Sequence, residues 1–149
     1  MKPQIVLYQP DIAQNVGSIL RTAVCFSLEV HLIEPMGFPW NAAKMQRAGM
    51  DYLERAQITR HKSWQDFLAV KQSGRLVALT TKGRESLENF TFQQDDYLLF
   101  GRESAGLPEH VHKQATARVR IPMAEGERSM NLAQSCSVVS FEALRQTVL

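Results

Sequence analysis

The chain has 149 residues, 44% of them hydrophobic and 21% charged, which suits one domain over residues 1–149 and excludes disordered, fibrous and low-complexity classes. Seventeen Lys and Arg against fifteen Asp and Glu leave a net charge of +2, too small a total to argue for nucleic-acid binding by itself. No apolar run approaches the ~18 residues of a membrane span, and Met1-Lys2-Pro3-Gln4 lacks a signal-peptide core, so a cytoplasmic address without membrane contact is expected.

Five short apolar runs read as buried strands: Ile5-Val6-Leu7-Tyr8, Val30-His31-Leu32-Ile33, Leu76-Val77-Ala78-Leu79, Tyr97-Leu98-Leu99-Phe100 and Val119-Arg120-Ile121. Between the first two, Val16, Ile19, Leu20, Ala23 and Val24 share one helical face. Ser63-Trp64-Gln65-Asp66 has the form of a capped start for a helix reaching Gln72, and a short helix is expected from Pro108. The last pattern, Asn131 to about Gln146, places Leu132, Cys136, Val139 and Ala143 at helical spacing. Near-continuous apolar strands alternating with helices predict an α/β fold, a mostly parallel sheet of five or six strands flanked by helices. Cys25 and Cys136 both fall in helical stretches without CxxC spacing, so both read as reduced core thiols, with neither zinc nor a disulfide implied.

In open α/β sheets ligands sit beyond the carboxyl ends of the strands, so the loops there are the place to look. Three follow strands. In Asn15-Val16-Gly17-Ser18-Ile19-Leu20-Arg21-Thr22, Asn15 reads as a helix cap and Arg21, beside the apolar face, calls for an anionic partner or exposure. The plain alternative is a capped surface helix. In Phe100-Gly101-Arg102-Glu103-Ser104-Ala105-Gly106-Leu107-Pro108, Gly101 and Gly106 let backbone approach a ligand closely. This loop fails the P-loop pattern, because Leu107 stands where lysine is required, and it lacks the dinucleotide glycine spacing; a tight strand-to-helix turn would also explain it. The third loop runs from Ile121-Pro122-Met123 to Arg128-Ser129-Met130-Asn131-Leu132, where Ser129 or Asn131 can cap the last helix.

Taken in order, N-x-G-x-x-x-R-T, F-G-R-E-S-x-G-L-P and I-P-M with R-S-M-N-L-x-x-S resemble the three motifs of the SPOUT methyltransferases, in their TrmH-like branch. The likeness extends through Ile33-Glu34-Pro35-Met36-Gly37-Phe38, Arg47-Ala48-Gly49-Met50-Asp51-Tyr52 and Leu79-Thr80-Thr81-Lys82-Gly83, which are similar to the small wobble-nucleotide tRNA 2'-O-methyltransferases of that branch. The resemblance covers essentially the whole chain. It implies a homodimer with a C-terminal trefoil knot, which periodicity does not show. It implies S-adenosyl-L-methionine as cofactor, held by the strand ends at Leu79, Gly101 and Ile121 and the loop at Ser129. Gly106 keeps the slot open, and Leu107, Ile121, Met123 and Leu132 form its walls. It further implies methyl transfer to the 2'-hydroxyl of the wobble nucleotide in the anticodon stem-loop of a tRNA, leucine tRNAs first among them. Another tRNA or rRNA ribose, or RNA binding without catalysis, stand as alternatives.

By the same resemblance Arg21 is tied to activating the hydroxyl, with Asn15, Glu103, Ser129 and Asn131 in support. A guanidinium stays protonated at neutral pH and makes a poor base, so stabilising a developing alkoxide or holding a phosphate suits it better. Glu103 is then a candidate to orient Arg21. Arg102 stands where the family often has proline, and Met130 where it often has leucine; Arg102 is expected to bear on RNA contacts. Without an appended RNA-binding domain, the catalytic domain itself is expected to bind the RNA; Lys44, Arg47, Arg55, Arg60 and Lys62 and Lys113, Arg118 and Arg120 fit that demand, with solvated helix faces as the plain alternative, and Phe38 and Trp40 are available for stacking or as loop anchors. His61, His110 and His112 show no metal spacing, and no metal is expected.

Overall fold

The computed structural model describes all residues, 1–149. Seven strands form one sheet: β1 (Gln4–Tyr8), β2 (Glu29–Ile33), β3 (Gln57–His61), β4 (Leu76–Leu79), β5 (Glu85–Ser86), β6 (Tyr97–Phe100) and β7 (Ala117–Arg120). Their order is β3-β2-β1-β6-β4-β7-β5, and every pairing is parallel. Parallel neighbours demand crossovers, and α1 (Ala13–Phe26), α2 (Ala42–Arg47), α3 (Trp64–Val70), α4 (Glu109–Gln114) and α5 (Leu132–Thr147) belong to or follow them.

The pleat divides the interior in two. Ile5, Leu7, Val30, Leu32, Val77, Leu98 and Phe100 point to the larger core, with Val16, Ile19 and Leu20 of α1 and Cys136, Val139 and Ala143 of α5. Val6, Tyr8, Ile33, Ala78 and Leu99 point to the smaller one, with Trp64 and Phe67 of α3 and Val111 of α4. Burial on both faces is why these strands read as continuous apolar runs. At the amino edge, Arg75 closes the sheet on the fully buried Asp96, with Nε–Oδ1 and Nη2–Oδ2 distances of 2.8 Å.

The strand runs beginning at Leu76 and Tyr97 coincide with the observed strands. Two strands escaped the sequence. β3 is an edge strand reading Gln-Ile-Thr-Arg-His, in which only His61 is buried, so it offers no apolar run. β5 is two residues long, too short to carry a pattern. The last predicted strand lies at Ala117–Arg120 rather than 119–121, because it alternates apolar with Arg118 and Arg120. Ser63 caps α3, accepting from Asp66 N at 3.0 Å, although the helix stops at Val70.

Cys136 is buried in the core, which pushes its thiol up to about 12. Cys25 is exposed, on the outer side of α1, contrary to the reading of a core thiol: the apolar stripe of α1 passes through Ala23 and leaves Cys25 outside. No helix is long and apolar enough to cross a membrane.

Candidate active site

The carboxyl ends of β4, β6 and β7 open into a cavity of about 490 Å³, within the range of small-molecule sites. Leu79, Gly101, Gly106, Leu107, Ile121, Met123, Ser129 and Leu132, the positions assigned to a cofactor from the sequence, all line it. So do Asn15, Glu103 and Asn131. Apolar walls alternate with the hydroxyls of Thr80, Thr81, Ser129 and Ser135, a mixture suited to a ligand with an apolar body and a few polar edges.

The loop after β6 makes this shape possible by folding back on itself. Arg102 N donates to Gly106 O at 3.1 Å, and Gly106 N to Arg102 O at 2.8 Å. Gly106 has φ +66°, and a Cβ on Gly101 would come within 2.5 Å of Gly106 C and 2.6 Å of Leu107 N. Only glycine fits Gly101, and Gly106 adopts a left-handed conformation that side chains disfavour.

A chain of hydrogen bonds ties three distant segments across one side of the cavity. Asn131 Nδ2 donates to Asn15 Oδ1 at 3.0 Å, and Asn15 Nδ2 donates to Glu103 Oε2 at 3.2 Å. The Glu103 carboxylate also accepts from Asp11 N at 2.8 Å and Ile12 N at 3.0 Å. Asn131 caps α5 through Oδ1, accepting from Ala133 N at 2.8 Å and Gln134 N at 3.3 Å. Asn15, by contrast, is not the cap of α1. The helix starts after Ile12, which offers no side-chain cap, and Glu103 supplies an anion from another loop where the helix dipole favours one. Asn15 is thereby free to turn its amide, nearly buried, toward the cavity.

Asp11 returns the grip. Its carboxylate accepts from Ser104 Oγ at 2.6 Å, Ser104 N at 3.1 Å and Arg102 Nε at 3.0 Å, with a second, shorter contact to Arg102 Nη2. The Arg102 guanidinium, and after it the Ser104 hydroxyl, hold the Asp11 carboxyl at about 2. The loops after β1 and β6 are therefore clasped by two carboxylates pointing in opposite directions. Arg102, expected from its place in the loop to bear on RNA contacts, forms this clasp and also lines the cavity.

Arg21 stands apart. Six residues beyond Asn15, it points about 120° away around the helix, at ~100° per residue, and does not line the cavity. It is exposed, and its guanidinium lies over the Tyr52 ring, 5.2 Å from the centroid. Glu103 does not orient it, since both carboxylate oxygens serve Asp11, Ile12 and Asn15. Its platform is built locally: Tyr52 OH donates to Gly17 O at 2.7 Å, and Met50 covers Gly17 so closely that a Cβ there would sit 2.5 Å from Met50 Cε.

In the second basic cluster Lys113 stays exposed, while both arginines bond to backbone carbonyls. Arg118 donates to the carbonyls of His112 and Lys113, and Arg120 to those of Gly83 and Arg84. No group of three or more His, Cys, Asp or Glu side chains is placed to hold a metal ion. Sequence reasoning missed Asp11, Ile12, Thr80, Thr81 and Ser135. Thr80 and Thr81 were open to the rule of strand carboxyl ends, whereas Asp11 carried no local signal.

Residues 2–141 match the SpoU rRNA Methylase family. A tRNA (cytidine(34)-2'-O)-methyltransferase of Ancylobacter novellus is 49% identical over 145 residues, covering 96% of this chain and 92% of the relative. A solved structure described as giving structural insights into the 2-OH methylation of C/U34 on tRNA superposes with a TM-score of 0.90 at 42% identity, covering 97% of this chain and 95% of that one. An AdoMet-bound rRNA methyltransferase from Sinorhizobium meliloti superposes with a TM-score of 0.84 at 26% identity, over 99% of this chain and 57% of that one.

Proposed function

The chain belongs to the SpoU methylase family, and on that premise we propose that it is an S-adenosyl-L-methionine-dependent tRNA 2'-O-methyltransferase acting on the wobble nucleotide, cytidine or uridine 34. The observation that carries the reading is the cavity at the carboxyl ends of β4, β6 and β7, in which Leu79 and the cofactor positions of the second and third motifs meet Asn15 of the first. The relatives named for cytidine 34 narrow the substrate from RNA in general to the anticodon loop.

The residues present fit the cofactor. Leu79, Leu107, Ile121, Met123 and Leu132 offer an apolar slot, and the tight turn at Gly101 and Gly106 keeps it clear of side chains. When bound there, S-adenosyl-L-methionine supplies an electrophilic methyl carbon on a sulfonium. The work of the chain is to place a ribose 2'-hydroxyl in line with that carbon and to stabilise the oxygen as it loses its proton. Asn15 and Asn131, joined by a hydrogen bond at the cavity wall, tie α1 to the capped start of α5, and Ser129 lines the same cavity. Arg21 belongs on the RNA side, stabilising the alkoxide or holding the neighbouring phosphate, because it stays charged and carries five N–H donors.

Arg21 does not reach its own cavity, so we further propose a homodimer in which a second copy completes the site. Support comes from α5, which leaves Val138 41% and Phe141 48% exposed, with Phe141 packed 6.3 Å from Phe26 at the end of α1. We also assign the family's trefoil knot to the region after β4. Its support is the strand order: the chain runs from β6 across β4 to β7 before α5 returns against α1 and β6. One domain over residues 1–149 and a cytoplasmic address complete the reading.

The test is to incubate the protein with S-adenosyl-L-methionine and unmodified leucine tRNAs and to locate 2'-O-methylnucleosides by mass spectrometry. Methylation at position 34 is the expected result. Product at a different ribose would reassign the substrate, and no product on any bulk RNA would overturn the reading.

A further inference from the structure

A second cleft opens on the same edge of the sheet, where β2 and β3 end. It is lined by Glu34, Met36, Phe38, Trp40, Arg60 and Lys62 and encloses about 340 Å³. Because all strands run parallel, it faces the same way as the cofactor cavity. Only β1 separates β2 from β6, so the nearest strands of the two sites lie about 10 Å apart, two strand spacings.

The two sites are also mechanically joined. Gly37 N donates to Pro10 O at 2.9 Å, and a Cβ on Gly37 would lie 2.8 Å from Asp11 Cα. Asp11 is the residue clasped by Arg102 and Ser104 of the cofactor loop. The segment that carries Met36 and Phe38 of the second cleft therefore packs, through Gly37, on the same β1 loop that shapes the first.

Its chemistry is that of a nucleotide site. Trp40 is half-buried, anchored against the larger core, and the Arg60 guanidinium lies 5.6 Å from its ring centroid. Glu34 fixes Arg60 through Oε2, accepting from Nε at 2.9 Å and Nη2 at 2.8 Å. That leaves three guanidinium N–H groups and Glu34 Oε1 uncommitted. Lys62 is exposed and makes no ion pair, so the cleft carries one net positive charge. A planar aromatic and guanidinium tier beside a free cation and a free carboxylate oxygen matches an unpaired base with an exocyclic amino group, stacked on the tier with its phosphate on Lys62.

We propose that this cleft is a second RNA subsite, which takes an unpaired nucleotide flanking the one that is methylated. It rests on the RNA methyltransferase reading above and adds to it a place where the loop sequence is sensed.

Steady-state methylation of a synthetic unmodified anticodon stem-loop, with calorimetry for S-adenosyl-L-methionine, tests it. W40A is expected to raise KM for the RNA about tenfold, the scale of losing one stacked base, with kcat at saturating RNA and cofactor affinity unchanged. W40F is expected to restore most of the affinity, and K62Q to weaken binding mildly and lower the salt dependence by about one counterion. Should W40A fail to fold, W40F and K62Q decide, W40F by reduced quenching of tryptophan fluorescence on RNA addition. Unchanged RNA affinity in K62Q and the Trp40 variants, while the wild type methylates the RNA, overturns the subsite and leaves the enzyme reading intact. Cofactor affinity falling in step with RNA affinity, or a shift in oligomeric state instead of either, also overturns it. A wild type that transfers no methyl to any RNA overturns both readings.

Discussion

Asn15 and Arg21 lie on one helix, less than two turns apart, yet they are held by different means. Asn15 is fixed by tertiary bonds from two remote loops, through Glu103 and Asn131. Arg21 is held by stacking on Tyr52, a residue of the 3-10 turn at Asp51–Arg55 that packs on α1. The first region is a rigid wall, its loops locked by reciprocal carboxylates. The second is an exposed cation on an aromatic shelf, free of ion pairs and available to an incoming anion. The difference separates two tasks that the motif N-x-G-x-x-x-R-T presents as one: shaping the cofactor cavity and meeting the RNA.

The sharpest way to break that division is Arg21→Ala. It is expected to cut methyl transfer by roughly a hundredfold or more, as for loss of a charge-stabilising donor, while calorimetry shows cofactor affinity nearly unchanged. A large loss of cofactor binding would place Arg21 with the wall after all. Gly101→Ala is the converse case. Its Cβ would strike the backbone of Gly106 and Leu107, so cofactor binding should weaken by more than about tenfold, each factor of ten being ~1.4 kcal/mol; intact affinity would mean the turn adapts.

Asp11→Asn tests the clasp. The amide keeps some hydrogen bonds but loses the charge facing Arg102, so KM for S-adenosyl-L-methionine should rise several-fold with kcat changing less. An effect on RNA affinity alone would contradict this. Tyr52→Phe keeps the ring under Arg21 and removes the bond to Gly17, and is expected to lower kcat only slightly, with cofactor binding untouched.

The smallest effect is on stability. His31 Nε2 meets Gln4 Oε1 at 2.6 Å and His31 Nδ1 meets His61 Nε2 at 2.9 Å. Burial, and then the neighbouring His61, hold His31 at about 4 against an ordinary 6.5. The unfolded chain therefore binds the proton first, so stability should be full above pH 6.5 and fall as the pH drops toward 4. Asp11, held at about 2 from an ordinary 3.8, keeps its contribution above pH 3.8 and loses it as the pH falls through 2, so the two windows separate. Melting temperatures across pH 4 to 7 should show a decline that His31→Gln flattens; an identical slope in the variant would remove His31 as its source.

What the amino-acid order determined by itself was whatever local periodicity and motif chemistry encode. Strands buried on both faces, such as Tyr97–Phe100, announce themselves as apolar runs, and the glycines at 101 and 106 announce a close turn. Those signals pointed to the carboxyl ends of the strands, and the resemblance of the ordered motifs to a known family supplied the individual cavity positions. The edge strand Gln57–His61 was invisible because an exposed strand has no apolar run to show. Only the tertiary structure decided the rest: that Asn15 faces a cavity instead of capping its helix, that Glu103 serves backbone N–H groups 91 and 92 residues away instead of Arg21, and that Arg102 grips Asp11 from the loop after β6. The physical reason is common to all three. A polar side chain is satisfied by whichever partner the fold brings within hydrogen-bond distance, and partners some ninety residues away leave no mark in the local sequence.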